Sequence, residues 1–525
     1  MLSEDQSSRS ADSGFDSTGP YFSTRRKIGF VLGVPLCLLL LWPALTPGLG
    51  AEARRLLAVA VLMAFWWITE ALPMPVTALL PMALFPMMNI MSMAEVTRNY
   101  GDEILFLFLG GFFIAMAMQK WNLHRRLALH IVHLVGASPS RIVLGFMCAT
   151  AFISMWISNT ATAMMMYPIA LAVTAQLAEQ GGAPISEQSR GFRTCLMLGV
   201  AYAANIGGMG TLLGTAPNLV FASNARKLFP EAPTVDFLGW AGFGVPIVLL
   251  FIPITWILMT RFLFPLGRAE SVAATDVITD ELRKLGRMSR GELYTLIVFV
   301  LAALAWVFRA DIDFGVFRLS GWASRLGVES FVSDSTVAMV AAIVLFLIPV
   351  HWRRGQFVLD WETAVKIPWG ILLFFGGGLA LSAGFKTTGL SEWIGERMTL
   401  LSGVPPLLMV GIVCFVITFV TEVTSNTATA TIFMPIAAAT AQAMQMNPFL
   451  LMTAVAISAS CSFMLPVATA PNAIVFASGH VTVPQMAKTG FWLNLIGVVL
   501  VTSVIYLFAV RSLNIDLGQM PAWAR

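Results

Sequence analysis

The hexapeptide SNTATA occurs twice in the chain, at 158–163 and at 425–430, each time inside an apolar stretch. Ser, Asn and Thr carry neutral oxygens, and at the first turn of a helix those oxygens accept hydrogen bonds from backbone N–H groups that lack an intrahelical partner. The residues that follow, ATAMMM and ATATIF, can restart a helix, so each copy predicts a half-helix N-terminus. Such an end is partly positive and suits an anion. The carbonyls freed by the same break, with Ser158, Asn159 and Thr160 or Ser425, Asn426 and Thr427 beside them, suit a hard monovalent cation such as Na⁺.

A second pair of breaks follows, in TLLGTAPNLVFAS (211–223) and MLPVATAPNAIVFAS (464–478). Pro217 and Pro471 restrict the residue before them, and Gly214 lets the backbone approach closely. Thr215, Asn218, Thr469 and Asn472 offer neutral oxygens and N–H donors. No Lys, Arg or His lies within either motif, so an anion would be held by helix ends, amides, hydroxyls and bound cations. Two carboxylates sit in apolar surroundings, Glu70 in WWITEALP and Glu422 in TEVTSNT. Intramembrane carboxylates are candidate proton or cation sites. Glu70 precedes a Pro at a helix end, where it reaches the interface; Glu422 lies beside the second break, as a site or as a hydrogen-bond partner of the hairpin backbone.

The elements that must position these residues are themselves repeated. FLFLGGFFIAMAM (106–118) precedes the first SNTATA and LLFFGGGLALSAG (372–384) the second. Gly110 and Gly376 are 376 − 110 = 266 positions apart, the SNTATA copies 425 − 158 = 267, Pro168 and Pro435 likewise 267, and Asn218 and Asn472 254. A chance hexapeptide match in a chain this long has a probability on the order of 10⁻³ to 10⁻², and the common order of four elements lowers it further. The segments 142–177 and 405–444 are too long for one helix and break at their middles. Each predicts a re-entrant hairpin, followed by a broken helix over 193–228 or 447–479.

With 525 residues, 57% hydrophobic and only 11% charged, and a mean hydropathy of +0.79, the chain holds more apolar surface than a soluble core can bury. It predicts an all-α polytopic membrane protein of about eleven transmembrane helices plus the two hairpins, and excludes a single-anchor enzyme with a large soluble domain. The net charge of +4 gives no basis for nucleic-acid binding. Residues 1–24, rich in Ser, Asp and Gly, predict a disordered cytoplasmic tail. Arg25, Arg26 and Lys27 place the N-terminus in the cytoplasm, as do the basic residues of the 265–293 loop and of the turn at His351, Arg353 and Arg354. Arg54 and Arg55 are the exception, on the outer side. This topology puts one hairpin on each side of the membrane, so the first helix and N-terminal repeat (25–264) and the C-terminal repeat (294–525) are inverted halves. The five cysteines read as packing residues, and His124, His130 and His133 as an interfacial face. An intramembrane hydrolase would need a His beside a buried Ser, and no His falls in either motif.

Paired SNT motifs, each followed by a [GA]-T-x-P-N break, resemble the divalent anion/sodium symporter family, in particular its bacterial sodium-dependent dicarboxylate transporters. WWITEALP, TEVTSNTATAT and MLPVATAPNAIVFASG carry the likeness, which leaves only the N-terminal tail uncovered. The resemblance implies a homodimer in the inner membrane, with scaffold and elevator-type transport domains and Na⁺ as coupling ion. It implies one sodium site from Ser154, Ser158, Asn159 and the backbone at Gly214, and another from Thr421, Thr424, Asn426 and the backbone at Ala468. Substrate carboxylates would meet Asn159, Thr160, Thr215, Ser425, Asn426, Thr427 and Thr469. The implied activity is sodium-coupled symport of C4 dicarboxylates, with exchange of dicarboxylates, citrate or tartrate, or sulfate carriage, as the alternatives of the same fold. Many relatives read T-P-P-N where this chain has Ala216 and Ala470, a change that loosens the loop slightly.

Overall fold

The computed structural model describes residues 24–136, 138–179, 187–266, 272–313, 318–398, 403–517 and 519–525, most of them helical. Helix α1 (Thr24–Leu40) precedes a first series: α2 (Ala51–Thr69), α3 (Met74–Thr77), α4 (Leu80–Met87), α5 (Met93–Tyr100), α6 (Glu103–Lys120), α7 (Leu123–Val135), α8 (Pro139–Ser154), α9 (Asn159–Glu179), α10 (Glu187–Gly208), α11 (Ala216–Leu228) and α12 (Phe237–Ile257). After α13 (Val272–Leu285) a second series follows: α14 (Arg290–Val307), α15 (Trp322–Arg325), α16 (Asp334–Leu347), α17 (Trp361–Ala364), α18 (Trp369–Thr387), α19 (Leu390–Met398), α20 (Pro406–Thr421), α21 (Asn426–Ala443), α22 (Pro448–Ser458), α23 (Ala470–Phe476) and α24 (Val483–Val504). Two short antiparallel pairs, Ile312–Asp313 with Arg318–Leu319 and Pro349–His351 with Gln356–Phe357, lie in connections of the second series.

Five of the described stretches are long and apolar enough to cross a membrane unaided: Met93–Lys120, Phe237–Leu263, Arg290–Val307, Trp369–Thr387 and Val483–Ser512. Shorter apolar helices stand beside them: Met74–Met87, Pro139–Ser154, Asp334–Leu347, Pro406–Thr421 and Pro448–Ser458. Phe30, Val31, Leu38, Leu301, Leu304, Val340 and Leu407 point outward. That apolar exposure would be costly in water and is neutral against lipid chains.

The breaks have local causes. Pro139, Pro217, Pro406, Pro448 and Pro471 each stand in the first turn of a helix, where a missing N–H removes no intrahelical bond. Helix α8 ends at Ser154 and α9 starts at Asn159, while α20 ends at Thr421 and α21 starts at Asn426; these are the two hairpins, and α10 packs on α8 and α9 as α22 packs on α20 and α21. Glycine makes the closest approaches possible: a Cβ on Gly207 of α10 would stand 2.3 Å from the Ala151 carbonyl of α8, and one on Gly377 of α18 would stand 2.2 Å from the Ala78 carbonyl. The second break of each series packs on the hairpin of the other series, α11 on α21 and α23 on α9.

Some expectations change. His124 is buried, with Nδ1 2.8 Å from the Met118 carbonyl, so it belongs to the core rather than to an interfacial face. Arg54 and Arg55, out of keeping with the charge bias, are engaged by carbonyls: Arg54 donates to Leu49 O at 3.0 Å, and Arg55 to Ala51 O at 3.2 Å and to Met88 O. Cys37, Cys195, Cys414 and Cys461 are buried free thiols, and Cys148 is half-buried.

A candidate binding site where four helix starts meet

The hairpin tips and the two later breaks surround one cavity of about 320 Å³. Ser158, Asn159, Thr160, Gly214 and Thr215 line it from the first series, and Thr424, Ser425, Asn426, Thr427, Ala468 and Thr469 from the second. Ser154 and Thr421 lie just beneath, fully buried, each touching the asparagine five positions on. The first residues of α9, α11, α21 and α23 all reach the cavity wall, so their unpaired N–H groups make it partly positive.

Around Asn159, the neighbouring groups favour the second of two amide orientations. In one, Oδ1 accepts from Ser154 Oγ at 2.8 Å and faces the Ala204 and Gly214 carbonyls; in the other, Nδ2 donates to the Ser154 hydroxyl at 2.8 Å, to Ala204 O at 3.2 Å and to Gly214 O at 3.3 Å. Ser154 Oγ also donates to Ala204 O at 2.7 Å. The first orientation brings four oxygens together with one hydroxyl proton among them, the donor set of a small hard cation; in the second, the amide nitrogen fills that role. The second series repeats the arrangement: Asn426 Oδ1 accepts from Thr421 Oγ1 at 2.8 Å and from Ser462 Oγ at 3.1 Å, with Thr421 Oγ1 2.9 Å from Ala459 O. Thr424 is at the same tip, but its hydroxyl is engaged by Val420 O at 2.8 Å and Thr429 Oγ1 at 2.5 Å.

Thr215 and Thr469 occupy the N-cap positions of α11 and α23 with matching backbones, φ −147°, ψ 151° and φ −144°, ψ 152°. Neither hydroxyl makes the capping bond. Ser425 does not cap α21 either, whereas Ser158 Oγ accepts from Ala161 N at a long 3.4 Å. The Thr215, Ser425 and Thr469 hydroxyls therefore make no capping bond.

Asn218 and Asn472, which the sequence offers as neutral oxygens and N–H donors, spend their N–H groups on their own loops. Both are fully buried. Asn218 Nδ2 donates to Gly208 O at 2.8 Å and Thr211 O at 2.7 Å, and Asn472 Nδ2 to Ser462 O at 3.2 Å and Leu465 O at 3.0 Å. Each cross-links the two sides of its own break and holds the loop shut.

Glu422 is a backbone clamp as well. It accepts from Phe463 N at 2.7 Å, Met464 N at 2.9 Å, Leu465 N at 3.2 Å and Asn494 Nδ2 at 2.7 Å, and so ties the α20–α21 tip to the α22–α23 loop. Its counterpart in the first series, 422 − 267 = 155, is Met155, whose carbonyl accepts from Thr211 Oγ1. The same junction is closed by a carboxylate in one half and by a carbonyl and hydroxyl in the other. Glu70 lies at the cavity's edge, paired with Arg26 at 3.7 Å.

Several lining residues stand outside the repeated motifs. Phe108, Phe112 and Ile371 form an apolar wall, and Arg25 and Glu70 stand at its rim. Asn205, in the last turn of α10, donates to Thr469 Oγ1 at 3.1 Å and to Ser462 O at 3.3 Å, linking the two series. The Gly207–Gly208 pair that ends α10 stands just after Asn205, but the asparagine's partner is set by which helix face meets α23.

Two series with broken helices, set around one polar cavity within a polytopic helical bundle, define the class of secondary membrane transporters rather than enzymes. A family model described as "Sodium:sulfate symporter transmembrane region" matches residues 26–511. The chain belongs to that family, the divalent anion/sodium symporters. It is 40% identical over 500 residues to the sodium-dependent dicarboxylate transporter SdcS of Staphylococcus saprophyticus, covering 95% of this chain and 94% of that protein. With SdcS of Staphylococcus aureus it shares 41% over the same shares of both chains. Among solved structures, the YdaH transporter of Alcanivorax borkumensis aligns with a TM-score of 0.54 at 14% identity over 91% of this chain and 97% of that one. MtrF of Neisseria gonorrhoeae, from a class of antimetabolite efflux pumps, aligns at 0.53 and 13% over 94% and 96%. These two show the fold alone.

Proposed function

We propose that the protein is a sodium-coupled symporter of C4 dicarboxylates such as succinate, fumarate and malate. The observation that carries this reading is the pair of oxygen clusters around Asn159 and Asn426, flanking one cavity of about 320 Å³ at which helix starts converge. In this reading Ser154, Ser158, Asn159 and the Gly214 carbonyl hold one Na⁺, and Thr421, Thr424, Asn426 and the Ala468 carbonyl another. The substrate carboxylates meet Asn159, Thr160 and Thr215 on one side and Ser425, Asn426, Thr427 and Thr469 on the other. Sodium binds first: each ion adds positive charge beside the tips and raises affinity for the dianion, and the coupling is reciprocal, so the dianion raises affinity for sodium. The names of the SdcS relatives support both the ion and the substrate class.

The protein works as a homodimer in the cytoplasmic membrane with its N-terminus inside, residues 25–264 and 294–525 forming the inverted halves. In this reading the exposed Arg25 and Glu70, which line the cavity at the start of α1 and the end of α2, mark a mouth on the cytoplasmic side of an elevator-type transporter. Purified protein in liposomes is expected to accumulate labelled succinate against a gradient only when sodium is higher outside. Equal uptake with and without a sodium gradient would sink the symport reading, and counterflow that needs no sodium would replace it with exchange.

A further inference from the structure

The motifs around the cavity contain no cation, yet the cavity wall does. Arg25, at the start of α1, lines it together with Ser158, Asn426 and Thr427. Its Nη2 donates to Val423 O, at the α20–α21 tip, at 3.0 Å, and to Ile68 O near the end of α2. Both acceptors are neutral carbonyls, which orient a guanidinium without cancelling its charge. The carboxylate at the same rim, Glu70, takes its ion pair from the neighbouring Arg26. Among the described residues, the bonds of Arg25 leave from Nη2, so Nη1 and Nε remain as donors for an incoming carboxylate.

We propose that Arg25 is a specificity-determining residue that captures one carboxylate of the dianion at the cavity mouth, on the membrane face where α1 begins. The proposal rests on the dicarboxylate reading and deepens it. A positive charge at a partly enclosed mouth raises the local concentration of anions and favours two charges over one. Because Val423 belongs to the hairpin, its bond to Arg25 exists only while the hairpin tip stands beside α1 and α2. Capture is therefore confined to one face of the membrane, and the opposite face binds substrate without it.

The test uses the full-length protein in right-side-out and inside-out membrane vesicles, with succinate KM and kcat measured at saturating sodium from each face. Arg25→Gln is expected to raise KM roughly fivefold at the α1 face, with kcat within about twofold and KM at the other face unchanged; Arg25→Lys recovers most of the loss. Raising ionic strength with choline chloride at fixed sodium raises the wild-type KM at the α1 face and barely moves that of Arg25→Gln. An unchanged KM at the α1 face overturns the proposal. So does a fall in kcat at both faces with KM intact, which makes Arg25 a mechanical latch instead. Wild-type succinate uptake indifferent to sodium overturns the symport reading alone, since the comparison of KM between wild type and Arg25→Gln still decides the role of Arg25.

Discussion

At the scale of the residue, polar groups in an apolar setting divide by what they touch. The Nδ2 groups of Asn218 and Asn472 are spent on their own loops, and the Glu422 carboxylate on three backbone N–H groups and the Asn494 amide. The loops keep matching cap geometry at Thr215 and Thr469, and the asparagine cross-links close both. Asn159 and Asn426 differ: Asn159 turns its amide toward the Ser154 hydroxyl and the Ala204 and Gly214 carbonyls, and Asn426 Oδ1 accepts from the Thr421 and Ser462 hydroxyls. Replacing either by aspartate adds a charge to an oxygen cluster. Asn159→Asp and Asn426→Asp are therefore expected to be less stable than wild type in choline chloride and to regain stability in sodium chloride, with sodium-driven uptake reduced at least tenfold. Thermal midpoints in the two salts check this, and a midpoint gap no larger than that of wild type would remove these asparagines from the sodium sites.

At the scale of the element, the hairpins depend on close helix contact. Gly207 brings α10 against α8, and a Cβ there meets the Ala151 backbone rather than a side chain that can turn aside. Gly207→Ala is expected to cost about 1–3 kcal/mol through overpacking, and to loosen the wall that supports Asn159. Gly101 is the control, with a φ of −113° and no atom within 4 Å of its added Cβ, so Gly101→Ala should leave the thermal midpoint of the detergent-solubilised protein unchanged. Equal effects of the two substitutions would show that propensity, not contact, sets the stability of α10. The crossed packing of α11 on α21 and of α23 on α9 means that neither half can complete the cavity alone.

At the scale of the whole molecule, ion pairs join distant parts of the chain: Arg226 with Asp102 and Glu103, Arg309 with Asp236 and Asp334, and Lys120 with Asp360 at 2.6 Å. The last ties the end of α6 to the connection before α17, where Trp121 Nε1 also donates to Val358 O at 2.7 Å. Burial pushes the Asp360 carboxyl up, but the Lys120 ammonium and the Thr363 hydroxyl and N–H together pull it down further, to about 2. Because that folded value lies below the unfolded one of about 3.9, the pair stabilises the protein above pH 4, and its contribution is lost as pH falls toward about 2. Asp360 is partly exposed, so the effect is small. In detergent, wild type is expected to melt about 1–2 °C above Asp360→Asn at pH 6, with the two converging as the pH approaches about 2. A constant difference across that range would assign the gap to packing instead of charge.

The sequence by itself determined the class of the protein, the two halves, the positions of the four breaks and most of the polar residues that line the cavity. Apolar run length, proline at first turns and letter-for-letter repetition are local properties, and locality makes them legible in one dimension. It also brought Ser154 and Thr421 into the site, through the resemblance, because they stand on the same helix ends as the motifs. Tertiary structure alone decided which polar groups face the cavity and which face the backbone. That choice sent Asn218, Asn472 and Glu422 inward as clamps and set Asn205 and Arg25 on the cavity wall. A side chain's partner depends on which helix faces cross, and Arg25 meets Val423 across 398 positions of chain, a separation at which no sequence pattern carries the contact.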